Sequence, residues 1–454
     1  MRQKLNLKKG LSQFVLVPLL LVAVIGNANA TKIQEIVSPG GIKAWFVQEN
    51  SIPILNMEVI WKGGSGVVAP EKAGLAELMA STMDEGAAEL DSKAFQGKLA
   101  DLSISVSFSA GKDTYRGRLK TLSANNEQAF DLFSKAITDP RFDSDPVERI
   151  RGQLMASLNR NLSNPRSLAG KAWFEAAFKG HPYALSTEGN LETMGSITVE
   201  DLKAFKEQQI VKENMVISVI GDITPEKLGE MLDKTFGALP EQSDLGEVAD
   251  IDQLNGPSLQ VIPMEIPQSI IVFGGDGVKR DDPDYYAAYV LNYILGGGGF
   301  ESRLNAEIRE KRGLVYSIYT YLSPFEAAGV QLGGLGTSDK STLEALKLIQ
   351  VELQKLRNEG VTEEELIAAK KYLNGSFALQ LSSNANIANI MASMQFSQLP
   401  IDYLEHRTDL IDAVTLADLK RVAQKLMDPD KLIITIVGKS EYKSAWEEGL
   451  KNFR

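Results

Sequence analysis

The sequence predicts an α+β protein made of two similar halves, each a mainly antiparallel sheet covered by helices. Two segments of the second half repeat segments of the first half at one constant offset. Each half also has an early apolar strand that runs into glycines, at Gly63 and at Gly274. Within a half, the predicted strands cluster beside the predicted helices instead of alternating with them. This arrangement favours α+β over a parallel α/β sheet.

The internal repeat is clearest near the end of each half. Residues 197–203 (ITVEDLK) resemble residues 414–420 (VTLADLK), because each segment has a threonine that can cap a helix, followed by an amphipathic run. Residues 215–221 and 432–438 are both apolar strands that end in glycine. Both comparisons have an offset of 217 residues. We therefore expect two homologous domains with one topology.

The boundary between the halves is predicted where the sequence loses its periodicity. Proline, glycine and acidic residues cluster at 242–257, as in a linker. This linker separates an N-terminal domain at 31–241 from a C-terminal domain at 258–454. Each domain has about 200 residues, which is within the usual range.

The N-terminal half contains one predicted hairpin and several predicted helices. Residues 102–109 and 114–122 read as two strands on either side of a short turn. The periodicity of apolar residues then predicts helices over residues 127–138, 146–162 and 166–178.

Residues 1–30 read as a secretory signal peptide. Four basic residues precede an apolar run from Phe14 to Ile25, and Ala28-Asn29-Ala30 supplies the small residues that a signal peptidase requires. The alternative is an uncleaved membrane anchor, but the run is shorter than the ~20 residues that spanning a bilayer requires. We therefore expect cleavage after Ala30 and a secreted protein. The short signal favours a bacterial periplasm.

Composition excludes several functional classes. The chain contains no cysteine, so disulfides, thiolate metal sites and cysteine nucleophiles are excluded. Removal of the signal peptide leaves 44 cationic residues against 59 acidic ones, a net charge of −15. A chain this acidic is poorly suited to nucleic acid. No other stretch is long and apolar enough to span a membrane.

A set of motifs is spread over essentially the whole mature chain. They are residues 61–66 (WKGGSG), 72–76 (KAGLA), 181–183 (HPY), 219–222 (VIGD), 296–304 (GGGGFESRL) and 308–317 (IREKRGLVYS). Together they resemble the M16 (pitrilysin-type) zinc peptidases, in the form of about 50 kDa that pairs with a second subunit. Residues 308–317 are the most specific part. The resemblance implies that the two domains form half of a clam-shell.

The catalytic signature of that family is absent from the matching position. Family members carry His-x-x-Glu-His directly after the Gly-Leu-Ala segment, with two histidines on one helical face that bind zinc and a glutamate that acts as general base. This sequence has Glu77 and Ser81 at the ligand positions and Ala80 at the base position. The third ligand of the family is a glutamate on a later helix. The matching helix offers Glu148, which we interpret as half of a structural Glu-Arg pair with Arg149.

The histidines offer no replacement for the lost ligands. The chain contains only His181 and His406, which lie in different halves and have no companion at ligand spacing. The alternative is a zinc site made of one histidine and scattered carboxylates. We expect His181 to be structural and no metal in this chain. The resemblance implies that a partner subunit carries the zinc.

Arg309 and Tyr316 match a pair that the family places in its C-terminal half. In paired forms, the resemblance implies that these side chains reach the zinc site of the partner. A guanidinium and a phenol both donate hydrogen bonds, which suits a peptide carbonyl and its developing oxyanion. The alternatives are an ion pair of Arg309 with Glu307 or Glu310, and aromatic packing of Tyr316 beside neighbouring strand tyrosines.

Gly296 to Gly299 lack the Lys-Ser/Thr of a phosphate-binding loop. We expect a flexible turn or hinge there instead.

These observations predict a non-catalytic subunit, inactive alone, in a heterodimeric M16 peptidase that degrades oligopeptides or unfolded segments. The alternatives are a structural or peptide-binding scaffold with no role in cleavage, and an independently active peptidase with a displaced metal site. The Arg309/Tyr316 pair favours the first interpretation, because a scaffold has no need of it.

Overall fold

A computed structural model describes residues 32–451, and the residues from Ile33 onward make up one compact unit. The predicted signal peptide lies outside the described residues. The strands in the described part are β1 (Gln34–Val37), β2 (Lys43–Gln48), β3 (Ile54–Lys62), β4 (Gly86–Ala87), β5 (Leu90–Asp91), β6 (Ser105–Ala110), β7 (Thr114–Leu122), β8 (Met215–Gly221), β9 (Ser258–Pro263), β10 (Ser269–Asp276), β11 (Val315–Pro324), β12 (Gly329–Thr337) and β13 (Ile433–Gly438).

The α-helices account for most of the remaining described chain. They are α1 (Leu75–Ala80), α2 (Ser92–Asp101), α3 (Asn126–Thr138), α4 (Ser144–Asn161), α5 (Pro165–Ala177), α6 (Leu191–Ser196), α7 (Val199–Gln209), α8 (Pro225–Phe236), α9 (Tyr285–Asn292), α10 (Thr342–Glu359), α11 (Glu363–Gln380), α12 (Asn384–Phe396), α13 (Tyr403–Asp412), α14 (Leu416–Leu426) and α15 (Lys443–Lys451). No helix within residues 32–451 is both long and apolar enough to cross a bilayer.

Two large sheets share one strand order. The first runs β1-β2-β8-β3-β7-β6 and the second runs β9-β13-β10-β12-β11. The pairs β2–β8 and β9–β13 are parallel, and every other pair in these two sheets is antiparallel. The strands β2, β8, β3, β7 and β6 therefore correspond to β9, β13, β10, β12 and β11. The predicted α+β class is confirmed.

The repeat detected in the sequence corresponds to a repeated helix start. Thr198 caps α7 by accepting from the backbone of Asp201, whose carboxylate accepts from the backbone N–H of Thr198. Thr415 and Asp418 form the same reciprocal pair at α14. Both helices precede a buried strand in the middle of a sheet, β8 and β13. The same capping box therefore determines where α7 and α14 begin.

The predicted hairpin and helices are present with small changes at their ends. The first hairpin strand begins at Ser105 and not at Leu102, because Leu102 ends α2 and Ser103 turns the chain with a φ of 52°. Residues 242–257 contain neither helix nor strand. The division into domains at this segment stays a prediction.

Each half contributes one helix to the sheet of the other half. Helix α5 packs on β13 and β10, and α12 packs on β3 and β8. Trp173 of α5 donates from Nε1 to the carbonyl of Ile433 at 2.9 Å, and Gln395 of α12 donates from Nε2 to the carbonyl of Ile217 at 2.9 Å. The two halves therefore bury apolar surface reciprocally, which the sequence analysis did not anticipate.

The corresponding hairpins β6–β7 and β11–β12 meet at their turns. Asp113 accepts a hydrogen bond from the Tyr183 hydroxyl and another from the backbone N–H of Glu326 at 3.0 Å. The Tyr183 oxygen in turn accepts from the backbone N–H of Ala327 at 3.2 Å. Lys62 of β3 pairs with the Glu326 carboxylate at 3.2 Å. Polar contacts thus join the two halves at this point.

Candidate functional site

The lost zinc motif lies on α1 and at its C-terminal end. Glu77 and Ala80 are helical residues, and Ser81 caps the helix by donating its backbone N–H to the Glu77 carbonyl at 3.0 Å. Ala80 is buried, whereas Glu77 and Ser81 are half-buried. The structure therefore brings the three positions together on one helical turn, as the motif requires.

The chemistry of these side chains does not fit zinc. Burial raises the pKa of the Glu77 carboxyl, the nearby Glu188 raises it further, and the Ser81 hydroxyl donates a hydrogen bond to it. Ala80 offers a methyl group where a general base is required. Zinc sites need three or four imidazole, thiolate or carboxylate ligands. Across residues 32–451, no group of three or more such side chains is arranged to hold a metal ion.

The helix expected to carry the third ligand is α4. Glu148 accepts from Arg151 Nε at 3.1 Å, and Arg149 pairs with Glu85. The predicted Glu148–Arg149 pair is therefore wrong. The physical reason is helical geometry: residues three apart share a face, whereas adjacent residues point about 100° apart.

The two histidines have separate structural surroundings. His181 accepts from the backbone N–H of Tyr183 through Nδ1 at 3.2 Å, and its Nε2 lies 2.9 Å from the carbonyl of Ala249. His406 is exposed on α13 between Asp402 and Asp409. His181 thus tethers the middle of the linker segment.

Arg309 and Tyr316 lie together in the structure, and Phe300 joins them. The guanidinium carbon of Arg309 lies 4.3 Å from the centre of the Phe300 ring and 5.7 Å from the centre of the Tyr316 ring. Tyr316 is 82 % exposed and Phe300 is 61 % exposed. We call Phe300, Arg309 and Tyr316 the arginine cluster. It presents a cation and a phenol to solvent, held in place by ring stacking.

Neither packing alternative describes these side chains. No ion pair of Arg309 occurs within the part of the chain that the structure describes, because Glu307 is engaged by Lys311 and Arg312. Hydrogen bonds from Lys311, which has the largest effect, and from Arg312 lower the pKa of Glu307 to about 2. Tyr319 and Tyr321 stack on each other, with ring centres 6.2 Å apart. Tyr316 stands apart from that pair.

A β-bulge explains why Tyr316 is exposed. Val315 pairs with Thr337 and Ile318 pairs with Leu335, so three steps along β11 match two steps along β12. Val315 and Ile318 are both buried, and the two bulge residues, Tyr316 and Ser317, are both exposed. Bulges re-aim side chains and recur beside functional sites.

The segment before the bulge is largely helical. A π-helical turn spans Tyr293–Gly297, a 3₁₀ turn spans Gly299–Glu301, and a second π-helical segment spans Asn305–Glu310. The expected turn is therefore wrong for Gly296 and Gly297, which are π-helical, and flexibility at Gly296 to Gly299 stays a prediction. A Cβ on Gly296 would lie 2.9 Å from the backbone nitrogen of Thr320, so close approach to β11 accounts for that glycine.

One ion pair and one backbone turn help to position Arg309. Arg303 donates from Nε and Nη2 to the carboxylate of Glu365, each at 2.6 Å, which ties this segment to the start of α11. Gly313 adopts a φ of 62° where the chain turns from the helical segment into β11. Phe300 is the member of the cluster that sequence reasoning missed. Its only signal is its place next to the glycine run.

The comparisons with known proteins agree with this fold. Residues 196–373 match the family described as the peptidase M16 inactive domain. A crystal structure of a peptidase M16 inactive domain from Pseudomonas fluorescens is 31% identical and has a TM-score of 0.84, and the alignment covers 90% of this chain and 98% of that one.

Two Helicobacter pylori proteins are also similar. A non-peptidase homolog called YmxG is 24% identical over 424 residues, covering 93% of this chain and 98% of the relative. A solved structure described as a protease has a TM-score of 0.81 at 20% identity, covers 90% of this chain and 100% of that chain, and so supports the fold alone. With its M16 motifs, duplicated sheets and a zinc motif replaced by Glu77, Ala80 and Ser81, the chain belongs to the M16 peptidase family as a non-catalytic homologue.

Proposed function

We propose that this chain is the non-catalytic subunit of a heterodimeric M16 peptidase acting on oligopeptides or unfolded segments. In this proposal, the partner is a catalytic homologue with an intact His-x-x-Glu-His motif. This chain supplies Arg309 and Tyr316 to the peptide bond being cleaved. It is exported with the signal peptide at residues 1–30 and works outside the cytoplasm.

One observation carries the proposal. The two rings of the arginine cluster are exposed and Arg309 has no acidic partner within the described residues, whereas the zinc motif of the same chain has lost its ligands. The Arg309 guanidinium is half-buried beside the Phe300 and Tyr316 rings, and without an acidic partner in the described residues its N–H donors stay available. A bulge that turns Tyr316 outward supports a role for its hydroxyl, because packing alone does not require an 82 % exposed tyrosine.

The proposed role of Arg309 and Tyr316 is to donate hydrogen bonds to the substrate carbonyl. The Arg309 guanidinium and the Tyr316 phenol both donate, so they hold the carbonyl oxygen and stabilise negative charge as it develops there. Phe300 and the Arg303–Glu365 ion pair keep Arg309 in position. No step in this chain requires a bound metal.

The test is hydrolysis of a quenched fluorescent peptide by this chain, by a zinc-bearing M16 partner, and by the two mixed. We expect activity only in the mixture. Arg309→Ala and Tyr316→Phe should each lower kcat by about 10²–10³-fold, the usual cost of one oxyanion donor. Binding of the two chains, followed by sedimentation, should be unchanged.

Matched controls lie close to the pair. Arg312→Ala removes a cation three residues from Arg309, and Tyr319→Phe removes a hydroxyl from a second exposed tyrosine of β11. Both should retain kcat within about twofold, since neither supplies a proposed oxyanion donor. Full activity of the partner alone, unaffected by this chain, would refute the proposal and favour a scaffold role. Chelator-sensitive activity of this chain alone would also refute it.

A further inference from the structure

A cavity of about 290 Å³ lies where α9, α11, α12 and α13 meet. None of the arginine cluster residues lines it. Its walls include five aromatic side chains, those of Tyr285, Tyr286, Tyr289, Phe377 and Tyr403. Such walls accept a planar ring by stacking or edge contact.

Two arginines line this cavity. Arg407 is only 7 % exposed, and its guanidinium carbon lies 4.0 Å from the centre of the Phe377 ring. The guanidinium carbon of Arg280 lies 4.1 Å from the centre of the Tyr285 ring, and its Nη2 donates to the Tyr286 hydroxyl at 3.1 Å. The two cations therefore belong to one aromatic pocket.

These cations have no acidic partner within the described residues. No acidic side chain lines the cavity, and no ion pair involves Arg280 or Arg407 in that part of the chain. Arg407 has one hydrogen-bond acceptor there, the carbonyl of Leu373 at 3.3 Å, for a group with five N–H donors. The nearby Asp282 and Asp284 pair with Lys425 and Arg421 instead. A buried cation without a counter-charge is costly, so the pocket favours an anion from outside.

We propose that this cavity binds a carboxylate joined to an aromatic group, as in the C-terminal residue of a peptide. Guanidinium groups match the planar fork of a carboxylate, and the aromatic walls match the ring. Arg280 and Ser397 also border a larger cleft of about 870 Å³, which gives a longer peptide an adjacent space. The site is independent of Arg309 and Tyr316.

Calorimetric titration of the full mature chain with three small probes tests the charge requirement. N-acetyl-L-phenylalanine should bind at least about tenfold more tightly than its neutral amide, because the amide loses a charge-assisted hydrogen bond. Phenyl phosphate should bind more weakly than the carboxylate. Equal binding of acid and amide, preferred binding of the phosphate, or no binding at millimolar concentration would each overturn the proposal.

Titration with a tripeptide shows whether the site takes the carboxylate of a peptide terminus or only that of a small free acid. Ala-Ala-Phe should bind at least as tightly as N-acetyl-L-phenylalanine if the site takes peptide ends. Rejection of the tripeptide would overturn the assignment to a peptide terminus.

Variants locate the binding in this cavity. Arg280→Gln should weaken binding of N-acetyl-L-phenylalanine about tenfold with an unchanged Tm, and Arg407→Lys should weaken it too if that variant folds. Arg312→Gln is the matched control, since its side chain pairs with Glu307 and does not line the cavity. Unchanged affinity in Arg280→Gln would overturn the proposal whatever the fate of Arg407→Lys.

Discussion

The indole Nε1 of Trp173 donates a 2.9 Å hydrogen bond to the carbonyl of Ile433, which lies 260 residues further along the chain. Trp173 is fully buried on α5, a helix of the first half, and Ile433 begins β13 in the second half. The mirror contact joins Gln395 of α12 to Ile217 of β8. Each sheet is therefore completed by a helix from the other half.

Replacing Trp173 should destabilise both halves together. Trp173→Ala should lower the free energy of unfolding by about 3–5 kcal/mol, because a large buried side chain leaves a cavity. Trp173→Phe keeps most of the ring and should cost about 1–3 kcal/mol for the lost N–H donor. Urea unfolding followed by circular dichroism and by fluorescence checks this, with coincident transitions expected. Gln395→Leu is the matched variant for the mirror contact, because it removes the hydrogen bond to the Ile217 carbonyl. Two separate transitions would contradict the reciprocal packing.

Glu77→Gln should stabilise the protein at neutral pH. Burial, and then Glu188, raise the pKa of Glu77 above its unfolded value, so the folded state disfavours the ionised form. That penalty is absent at low pH and grows as the pH rises through the unfolded pKa towards the folded one. Glutamine removes it and can still accept from Ser81.

The check on Glu77 is urea unfolding of the wild type and the variant at pH 3.5 and at pH 7. The stabilisation should occur at pH 7 and vanish at pH 3.5. Glu71→Gln, an exposed acid in the preceding turn, should show no such difference. A loss of stability at pH 7 would instead indicate that the Glu77 carboxylate is needed.

Lys112 should give the protein a distinctive stability gain in alkaline solution. Its Nζ donates to the carbonyls of Tyr183 at 2.8 Å and Leu185 at 2.7 Å, and burial lowers its pKa to about 8. The unfolded chain, with a lysine pKa near ~10.4, binds more protons between pH 8 and ~10.4. The free energy of unfolding therefore rises with pH in that window.

Lys112→Met removes this gain. The variant should also lose about 1–3 kcal/mol at pH 7, because two carbonyls lose their donor. Urea unfolding at pH 7.5 and pH 10 measures both effects, with the half-exposed Lys171→Met on α5 as control. Identical pH slopes for wild type and Lys112→Met would show that Lys112 keeps an ordinary pKa.

The Arg303–Glu365 ion pair should require the two parallel N–H donors of the Arg303 guanidinium. Two bonds of 2.6 Å join the side chains, and Arg303 Nη2 also donates to the Gly360 carbonyl at 3.1 Å. Arg303→Lys keeps the charge but loses the bidentate geometry, so we expect a cost of about 1–2 kcal/mol. A double-mutant cycle of Arg303→Met with Glu365→Gln should give a coupling energy of about 1 kcal/mol or more. Additive single effects would contradict a direct pair.

Much of the fold and part of the site could be predicted from local sequence. Capping boxes, alternating strands and the glycine pairs each act within a few residues, so the repeat and the α+β class were predictable. The loss of the zinc motif could also be read directly, because the motif is contiguous. Errors arose where the geometry of a segment depends on its neighbours. The glycine run became helical because β11 packs against it.

The sequence by itself determined the two repeated halves, the absence of a zinc motif, and the segment that carries Arg309 and Tyr316. Only the tertiary structure decided which sheet each helix covers, that Phe300 stacks on Arg309, and that Arg280 and Arg407 share one pocket. The physical reason is that an apolar helix face specifies burial but not its partner. Arg280 and Arg407 are far apart in sequence, and only the packing of α9, α11, α12 and α13 brings their charges to one cavity.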